Sequence, residues 1–400
     1  MSIISVVINM KTILQIVSRC LQFIVYGFSF LILRNKKIWV FGSFGTYNDN
    51  SRYLFEYVIH EHKDIRAIWI SSDEQSVLLA SRYGEAYQRH SFKGLYYALR
   101  AKVYVYAAYT RDICWYASGG AYKVNLWHGI PLKKIEFDIR TPPLVNVFHN
   151  ANLVAHFKHP HAHIRHNLVL SPSQYVYEYS FKSAFRLRSE AEIVISQYPR
   201  VTKIEELAKT ASVNPDAQRR ITFLYAPTWR DSGGDFIASS GIDFDALERL
   251  LATFDAQLIV KLHPATKIAC DLSHYQHILM ANNKSDPCEL MAQADCLITD
   301  YSSMYFDYMA LDRPIIFFAF DKDEYLKERE FYFDYDKYTP GAKAYNSLQL
   351  ITAIEDVCQG KDLELNMRRS INGIFSSFSA SSNLNIYNRI CLGINVNDFH

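Results

Sequence analysis

The stretch from Ala294 to Phe320 constrains the fold of this chain more than any other. Two short apolar runs, Cys296 to Thr299 and Ile315 to Phe318, flank a segment with the spacing of a short amphipathic helix. This pattern is typical of parallel strands joined by a helical crossover. The polar residues Asp300 to Ser303 follow the first run, at the sheet edge where ligands bind in open α/β folds. A helix beginning at Ser302 or Ser303 would point free N–H groups at an anion.

Similar apolar runs alternate with helical stretches along most of the chain, which predicts an α/β protein with parallel sheets. A polar segment between Lys203 and Gln218 separates two series of runs. Two such series predict two facing Rossmann-like domains with a cleft between them. The runs are Ile38 to Ser43, Arg66 to Ser71, Lys102 to Ala107, Tyr122 to Leu126, Leu168 to Ser171 and Glu192 to Ser196, then Ile221 to Ala226, Gln257 to Leu262, His277 to Met280 and the two named above.

The predicted division of the chain has four parts. Residues 1–36 form a membrane-associated helical segment, 37–213 a first Rossmann-like domain, 214–374 a second, and 375–400 a helical tail that crosses back. The first part rests on the uncharged stretch between Arg19 and Arg34, which is followed by Lys36 and Lys37. This stretch is shorter than the roughly 20 residues of a membrane span, so we expect a helix lying on the membrane with its basic flank against anionic lipid. A helix buried against the protein is the alternative.

Composition excludes several classes of function. The formal net charge of +2 argues against a nucleic-acid binder that acts through bulk charge. Seven cysteines without a CxxC pair predict reduced side chains rather than zinc ligands or a disulfide framework. The chain also lacks the GxxxxGK[ST] phosphate loop and the GxSxG elbow of serine hydrolases.

His128 follows the strand predicted to end at Leu126, between Trp127 and Gly129. A histidine at a strand end can act as a base near neutral pH, although many such histidines are structural.

Polar and cationic side chains end three predicted strands of the second series. Arg230 follows one strand, Lys261 and His263 follow the next, and Ser302 and Ser303 follow the third. This set of N–H, O–H and cationic donors is better suited to binding a diphosphate than to catalysing the hydrolysis of a sugar linkage, which needs paired carboxylates. Each residue alone could instead be structural, Arg230 for example in a surface ion pair.

Five histidines lie within eleven residues from His156 to His166. Lys158 and Arg165 would repel a cation, and the run contains no carboxylate or cysteine partner. We therefore expect a solvated or acceptor-facing basic segment rather than a metal site.

Five short motifs in fixed order resemble the CDP-glycerol glycerophosphotransferase family, which includes teichoic-acid primases and polymerases. They are LWHGIPLK, YPR at Tyr198 to Arg200, FLYAPTWRD, KLHP and ADCLITDYSSMYFDYMALDRPIIFF. The resemblance implies a GT-B-like architecture, peripheral placement on the cytoplasmic face of the membrane, and transfer of glycerol phosphate from CDP-glycerol to a lipid-linked or polymeric saccharide acceptor with release of CMP. It implies an acceptor-binding first domain, a second domain that binds the CDP-polyol, and no metal or other cofactor.

The resemblance also implies roles for single residues. His128 would be the general base, and His263 a second catalytic residue that holds the donor diphosphate with Ser302 and Ser303. Arg230 and Lys261 are further candidates for the diphosphate. Asp300 would support the site by orienting His263 or a donor hydroxyl. These roles agree with the donor set above, because phosphoryl transfer needs mainly positioning and charge stabilisation.

Some alternatives stay open at this point. Val201 and Thr202 stand where family members often have an Asp, so ribitol or another polyol could replace glycerol, and a capsule could replace a wall polymer. A GT-B glycosyltransferase that uses a nucleotide sugar is a different reaction on the same architecture. A catalytically silent scaffold in a polymer-export complex belongs to a different class of function.

Overall fold

A computed structural model describes residues 10–211, 220–230, 235–262, 266, 271–282, 285–328, 330–377 and 381–396. Thirteen strands form two parallel sheets within these ranges. The first sheet has the order β3-β2-β1-β4-β5-β6-β7, and the second has the order β10-β9-β8-β11-β12-β13. The strands are β1 Asn35–Gly42, β2 Arg66–Ser71, β3 Glu85–Gln88, β4 Ala101–Tyr106, β5 Tyr122–Asn125, β6 Leu168–Ser171, β7 Ile193–Ile195, β8 Ile221–Tyr225, β9 Ala256–Val260, β10 Ile278–Met280, β11 Cys296–Thr299, β12 Ile315–Phe318 and β13 Ala342–Ala344.

Helices connect the strands, and further helices precede β1 and follow β13. In the first part of the chain they are α1 Met10–Ser29, α2 Asp49–Glu61, α3 Glu74–Ala80, α4 Phe92–Arg100, α5 Leu153–Lys158, α6 Gln174–Val176, α7 Lys182–Ala184 and α8 Pro199–Ala211. Those that follow are α9 Phe236–Ser239, α10 Phe244–Thr253, α11 Pro287–Gln293, α12 Met304–Tyr308, α13 Lys322–Glu328, α14 Tyr335–Tyr338, α15 Ser347–Cys358, α16 Leu365–Phe375 and α17 Ser382–Val396.

The prediction of an α/β protein with two parallel sheets is confirmed, and each of the eleven apolar runs contains a strand. Parallel strands covered on both faces are uniformly apolar, and every residue of β11 is buried. Burying each large aliphatic side chain contributes about 1.5–3 kcal/mol, so such runs are reliable markers of strands. The edge strands β3 and β13 escaped prediction because EAYQ and AKA are polar or small and only partly buried.

In both sheets the strand order reverses beside the first strand, between β1 and β4 and between β8 and β11. Ligands of doubly wound folds bind outside the carboxyl ends of strands at this switch point. Residues 132–134 pair with residues 330–332 through Lys134 N to Glu330 O (2.8 Å) and Tyr332 N to Leu132 O (2.9 Å). The loop after β5 therefore contacts the second sheet's half of the molecule directly.

The two ends of the chain differ from the central sheets. The segment expected to be a polar linker begins as helix α8, and the predicted boundary at residues 213 and 214 lies outside the described residues. Helix α17 returns to the first sheet, where the Tyr387 ring lies 5.3 Å from Trp39 and stacks on His62 at 3.5 Å. Helix α17 lies within the predicted tail of residues 375–400, whose bounds stay a prediction.

Helix α1 has 20 residues and begins well before the uncharged stretch, within the predicted helical segment of residues 1–36. Its window from Thr12 to Ser29 is long and apolar enough to cross a membrane by length and composition, which is weak evidence for a membrane helix. Only 6% of that window is buried. The alternative of a helix buried against the protein is therefore wrong.

Candidate active site

A cavity of about 1290 Å³ lies between the carboxyl edges of the two sheets. Its walls are loops that follow β1, β2 and β5 in the first sheet and β8, β9, β10 and β11 in the second. It contains the segments 127–133, 226–229 and 301–304, which belong to three of the motifs. The cavity is large enough for a nucleotide and part of an acceptor, because ligand pockets commonly have about 300–1,000 Å³.

His128 lies in the cavity wall, where its side chain is accessible from the cavity but the surrounding loops shield the ring from bulk solvent. Trp127 precedes it in the left-handed conformation (φ +52°), and the two rings lie 4.1 Å apart. The Nδ1 atom lies 3.3 Å from the carbonyl oxygen of Ala107, a contact that leaves Nε2 as the basic atom when Nδ1 carries the proton. The turn therefore fixes the ring and gives it one preferred tautomer.

The charge state of His128 depends on its surroundings. Loss of solvent around the ring lowers the pKa of His128, while the Asp49 carboxylate and the Ala107 carbonyl act in the opposite direction. The Arg200 guanidinium adds to the lowering. A lowered pKa keeps the imidazole neutral near pH 7, the form that can accept a proton.

Arg200 connects the His128 loop to both halves of the molecule. Its Nη1 donates to the His128 carbonyl oxygen (2.8 Å) and to Asp49 (2.9 Å), and its Nη2 pairs with Asp307 at 2.6 Å. Asp307 belongs to α12, directly after the Ser302 and Ser303 pair. Burial raises the pKa of Asp307 to about 6, and the Arg200 charge opposes this rise. The guanidinium thus joins the His128 loop to the serine loop.

Gly129 makes this arrangement possible. Its φ of +135° favours glycine, and a Cβ on it would lie 2.7 Å from Nη2 of Arg200 and 3.3 Å from Oγ of Ser303. The serine hydroxyl is therefore next to the turn that holds His128. The structure brings together two motifs that are more than 170 residues apart in sequence.

The serine loop is shaped by its buried aspartate. Oδ1 of Asp300 accepts from the backbone N–H groups of Thr228 (2.8 Å) and Tyr301 (2.6 Å). Ser302 and Ser303 are half-buried in the cavity wall, and Ser303 precedes the first residue of α12. Asp300 therefore fixes the loops after β8 and β11 against each other.

Arg230 lies on the other side of the same aspartate. Its Nη2 donates to Asp300 (2.8 Å) and its Nε to Asp321 (2.7 Å), while Nη1 donates to the Thr228 carbonyl. The Tyr301 ring lies 5.1 Å from the guanidinium carbon. Two carboxylates and a carbonyl oxygen thus already accept hydrogen bonds from the Arg230 guanidinium, which was expected to bind a diphosphate. Diphosphate binding by Arg230 stays a prediction.

Lys261 lies in the cavity wall, and its Nζ donates to the Asn282 carbonyl oxygen at 3.3 Å. Burial lowers the pKa of the Lys261 ammonium, with the Asp286 carboxylate opposing this effect. Asp286 itself accepts from Arg52 (2.6 Å), a second ionic contact between the two halves. His263 lies outside the described residues, so its role stays a prediction from the KLHP motif.

The histidine run from residue 156 to 166 is not a uniformly solvated segment, contrary to expectation. Nε2 of His161 accepts from Arg111 (2.9 Å), and Nδ1 of His166 lies 2.7 Å from the Tyr106 hydroxyl. Burial, aided by nearby cations, lowers the pKa of both rings to about 3. The sequence did not predict their burial because their partners lie in segments about 50 to 60 residues earlier, Tyr106 at the end of β4 and Arg111 in the turn that follows it. Among the described residues, no three His, Cys, Asp or Glu side chains are grouped to hold a metal ion.

Sequence reasoning did not assign roles to Arg200, Asp307 and Asp49. The sequence did single out Arg200, because it ends the YPR motif. Its contacts could not be predicted, because its partners lie in three different segments. In chemical terms, the cavity combines a neutral imidazole held in one tautomer with hydroxyl and ammonium donors across from it. This arrangement suits transfer of an anionic phosphoryl group to a hydroxyl.

Comparison with known families gives a match over most of the chain. The profile of the family described as CDP-Glycerol:Poly(glycerophosphate) glycerophosphotransferase matches residues 24–392. A teichoic acid glycerol-phosphate transferase of Staphylococcus aureus is 30% identical over 81% of this chain and 85% of its own length. A teichoic acid poly(glycerol phosphate) polymerase of Staphylococcus epidermidis is 32% identical over 76% of this chain, which spans only 43% of that relative.

Solved structures agree with these relatives. A variant of the wall teichoic acid polymerase TagF has a TM-score of 0.74 and 26% identity, over 98% of both chains. The S. aureus MnaA-UDP structure has a TM-score of 0.56 at 12% identity, over 90% of this chain and 97% of the other, and therefore shares the fold alone.

Proposed function

The chain belongs to the CDP-glycerol:poly(glycerophosphate) glycerophosphotransferase family, and we propose that it transfers glycerol phosphate from CDP-glycerol to an acceptor hydroxyl in teichoic acid synthesis. CMP is the leaving group. The observation that carries the proposal is the closeness of the His128 turn to Ser303 in one cavity, where a Cβ on Gly129 would lie 3.3 Å from the Ser303 hydroxyl oxygen. A relative soaked with CDPG, a TagF structure with a TM-score of 0.71 and 25% identity over 97% of this chain and 98% of its own, supports the donor class.

In the proposed reaction, the acceptor oxygen attacks the phosphorus that carries glycerol, and the bond to the CMP oxygen breaks. Nε2 of His128 takes the proton of the acceptor hydroxyl as the new P–O bond forms. The neutral state favoured at this position is the one that a general base requires. The product is a phosphodiester, and the electron pair of the broken bond leaves on CMP.

Ser302, Ser303 and Lys261 hold the donor diphosphate in this proposal, together with His263. Hydroxyl and ammonium donors stabilise the charge that develops on the leaving phosphate. Arg230 and Asp300 contribute by fixing the loops after β8 and β11. A direct contact of Arg230 with the diphosphate would require the guanidinium to exchange one of its present partners for the donor. Arg200 keeps the base and the serines at a constant spacing.

Residues 37–213 act as the acceptor domain and residues 214–374 as the donor domain of a GT-B-like enzyme. Helix α1 places the enzyme on the cytoplasmic face of the membrane, which its exposed apolar side chains and the basic residues around Arg34 support. The acceptor is lipid-linked or polymeric. No observation favours the nucleotide-sugar reaction or the silent scaffold.

CMP release tests the proposal. The full-length protein is incubated with CDP-glycerol, CDP-ribitol or a nucleotide sugar and a lipid-linked acceptor. We expect CMP from CDP-glycerol with wild type, and a loss of at least about hundredfold with His128→Ala, the usual effect of removing a general base. His60→Ala, on the exposed face of α2, is the matched control and should keep full activity. Absence of CMP with every CDP-polyol would overturn the proposal.

A further inference from the structure

A second cavity, an apolar groove of about 720 Å³, lies on the first domain away from the active site. Helix α1 forms one wall through Phe23 and Ile24, and the segment 153–165 forms the other. Trp115 closes the floor, with its ring 5.1 Å from Phe23. Ile24 is 54% exposed in the groove wall, whereas Leu21, on the same helix but outside the groove, is 56% exposed to solvent. Such a surface is more apolar than a protein normally shows to water.

The two chain segments around the groove carry only positive charge. Residues 1–48 and 139–177 contain no Asp or Glu, although they include Arg19, Lys158 and Arg165. The Arg19 guanidinium lies 5.6 Å from the Trp115 ring. Arg165 is in the groove wall, where its Nη2 lies 3.5 Å from the Glu192 carboxylate, so Arg19 and Lys158 supply most of the positive charge at the rim. An apolar groove with a cationic rim is complementary to a hydrocarbon chain that carries an anionic group.

A short line of contacts leads from this groove to the active-site cavity. His163 is in the groove wall, and His161 in the same turn accepts from Arg111. The Arg111 guanidinium carbon lies 5.1 Å from the Phe44 ring, which lines the active-site cavity. Nε of Arg111 is buried and has no hydrogen-bond partner within the described part of the chain, as is true of Nε2 of His163. Polar nitrogens without partners thus lie between the two cavities.

We propose that the groove binds the hydrocarbon chain of a lipid-linked acceptor, with the lipid phosphate on the cationic groups that lead toward the active site. This inference rests on the proposed function, because it assigns the acceptor of that reaction to a second site. The line from His163 to Phe44 favours the acceptor over a bulk membrane phospholipid, since only the acceptor must reach both cavities. The rest of the acceptor would extend past Arg111 toward His128.

Fluorescence quenching tests binding without any turnover. The full-length protein in detergent is titrated with a bromine-labelled dodecyl phosphate, with the matching alcohol and inorganic phosphate as comparisons. We expect the labelled phosphate to quench the tryptophan emission, and Trp115→Phe to remove this quenching. Trp229→Phe, in the wall of the other cavity, should leave it in place. Quenching that survives in Trp115→Phe, or that the alcohol produces equally, would overturn the proposal.

Two substitutions on α1 separate the groove from general membrane attachment. Ile24→Glu puts a charge in the groove, whereas Leu21→Glu puts the same charge on the same helix at equal exposure outside the groove. Ile24→Glu should raise the KM for a long-chain acceptor at least about tenfold, because a charge in an apolar site is costly. The KM for a short-chain acceptor and kcat should stay unchanged, and Leu21→Glu should behave as wild type in detergent.

The outcomes distinguish the two proposals. Equal losses in Ile24→Glu and Leu21→Glu would show that α1 only holds the protein on bulk lipid, and would overturn the groove assignment. Equal KM values of wild type for long-chain and short-chain acceptors would do the same. Quenching through Trp115 without CMP release from any acceptor would keep the lipid site and overturn the proposed transfer reaction.

Discussion

Gly129→Ala should slow glycerol phosphate transfer strongly while the protein stays folded. A Cβ at this position would lie 2.7 Å from Nη2 of Arg200, closer than real Cβ atoms approach other atoms, and 3.3 Å from Oγ of Ser303. The backbone at φ +135° adds strain of about 1–3 kcal/mol for any residue with a Cβ. Relief of the contact must move the guanidinium or the His128 turn. His128 and the serines then lose their spacing.

The expected loss of kcat in Gly129→Ala follows from this displacement. A shift of about 1 Å in positioning groups can cost about hundredfold in rate. We therefore expect kcat for CMP release to fall about hundredfold, with a smaller change in the KM for CDP-glycerol. The strain should lower Tm by a few degrees, at about 2–4 °C for each kcal/mol in a domain of this size. Steady-state kinetics and thermal unfolding on the same preparation measure both effects.

Gly360→Ala is the matched control for backbone strain. Gly360 also has a positive φ (+78°), but a Cβ on it would have no described heavy atom within 4 Å. This variant should show a lower Tm and an unchanged kcat. Wild-type kcat in Gly129→Ala would refute the reasoning, as would an equal loss of kcat in Gly360→Ala.

Three further predictions concern charge and donor binding. Asp49→Asn removes a carboxylate that raises the pKa of His128, so the pKa falls and the acid limb of the kcat profile should move to lower pH; a shift to higher pH would contradict the electrostatic assignment. His263→Ala should raise the KM for CDP-glycerol more than His128→Ala, which should mainly lower kcat, since in the proposed reaction His263 binds the donor and His128 acts in the transition state; equal effects of both variants on both constants would argue against this division. Arg230→Lys cannot reproduce the forked contacts with two carboxylates, and should raise the KM for CDP-glycerol about tenfold; an unchanged KM, measured by titration of donor in the CMP assay, would show that the loop holds its shape without the fork.

The sheets were predictable because a buried parallel strand consists of a few consecutive apolar residues, a pattern that is visible in the sequence. Their carboxyl edges follow from topology, so the cavity that contains Trp127 and Ser302 could be expected from two strand ends far apart in sequence. The edge strands β3 and β13 were not predictable in this way, because half-buried strands at the rim of a sheet lack the apolar signal.

The ionic framework of the site was beyond the sequence for a different reason. Arg200 in the first half forms an ion pair with Asp307 in the second half at 2.6 Å. The sequence around either residue does not indicate which residue is its partner. Arg230 shows the same limit, because its position after a strand was evident but its engagement by Asp321 was not. Long-range charge pairs depend on how the domains dock, which local patterns do not encode.

Phosphorus NMR of the reaction mixture tests the central claim most directly. Wild type with CDP-glycerol and a lipid-linked acceptor should yield a phosphodiester resonance and CMP in equal amounts, and His128→Ala should yield neither above background. Formation of CMP without a phosphodiester would indicate hydrolysis in place of transfer. A full yield of phosphodiester from His128→Ala would contradict the account of His128 as the base.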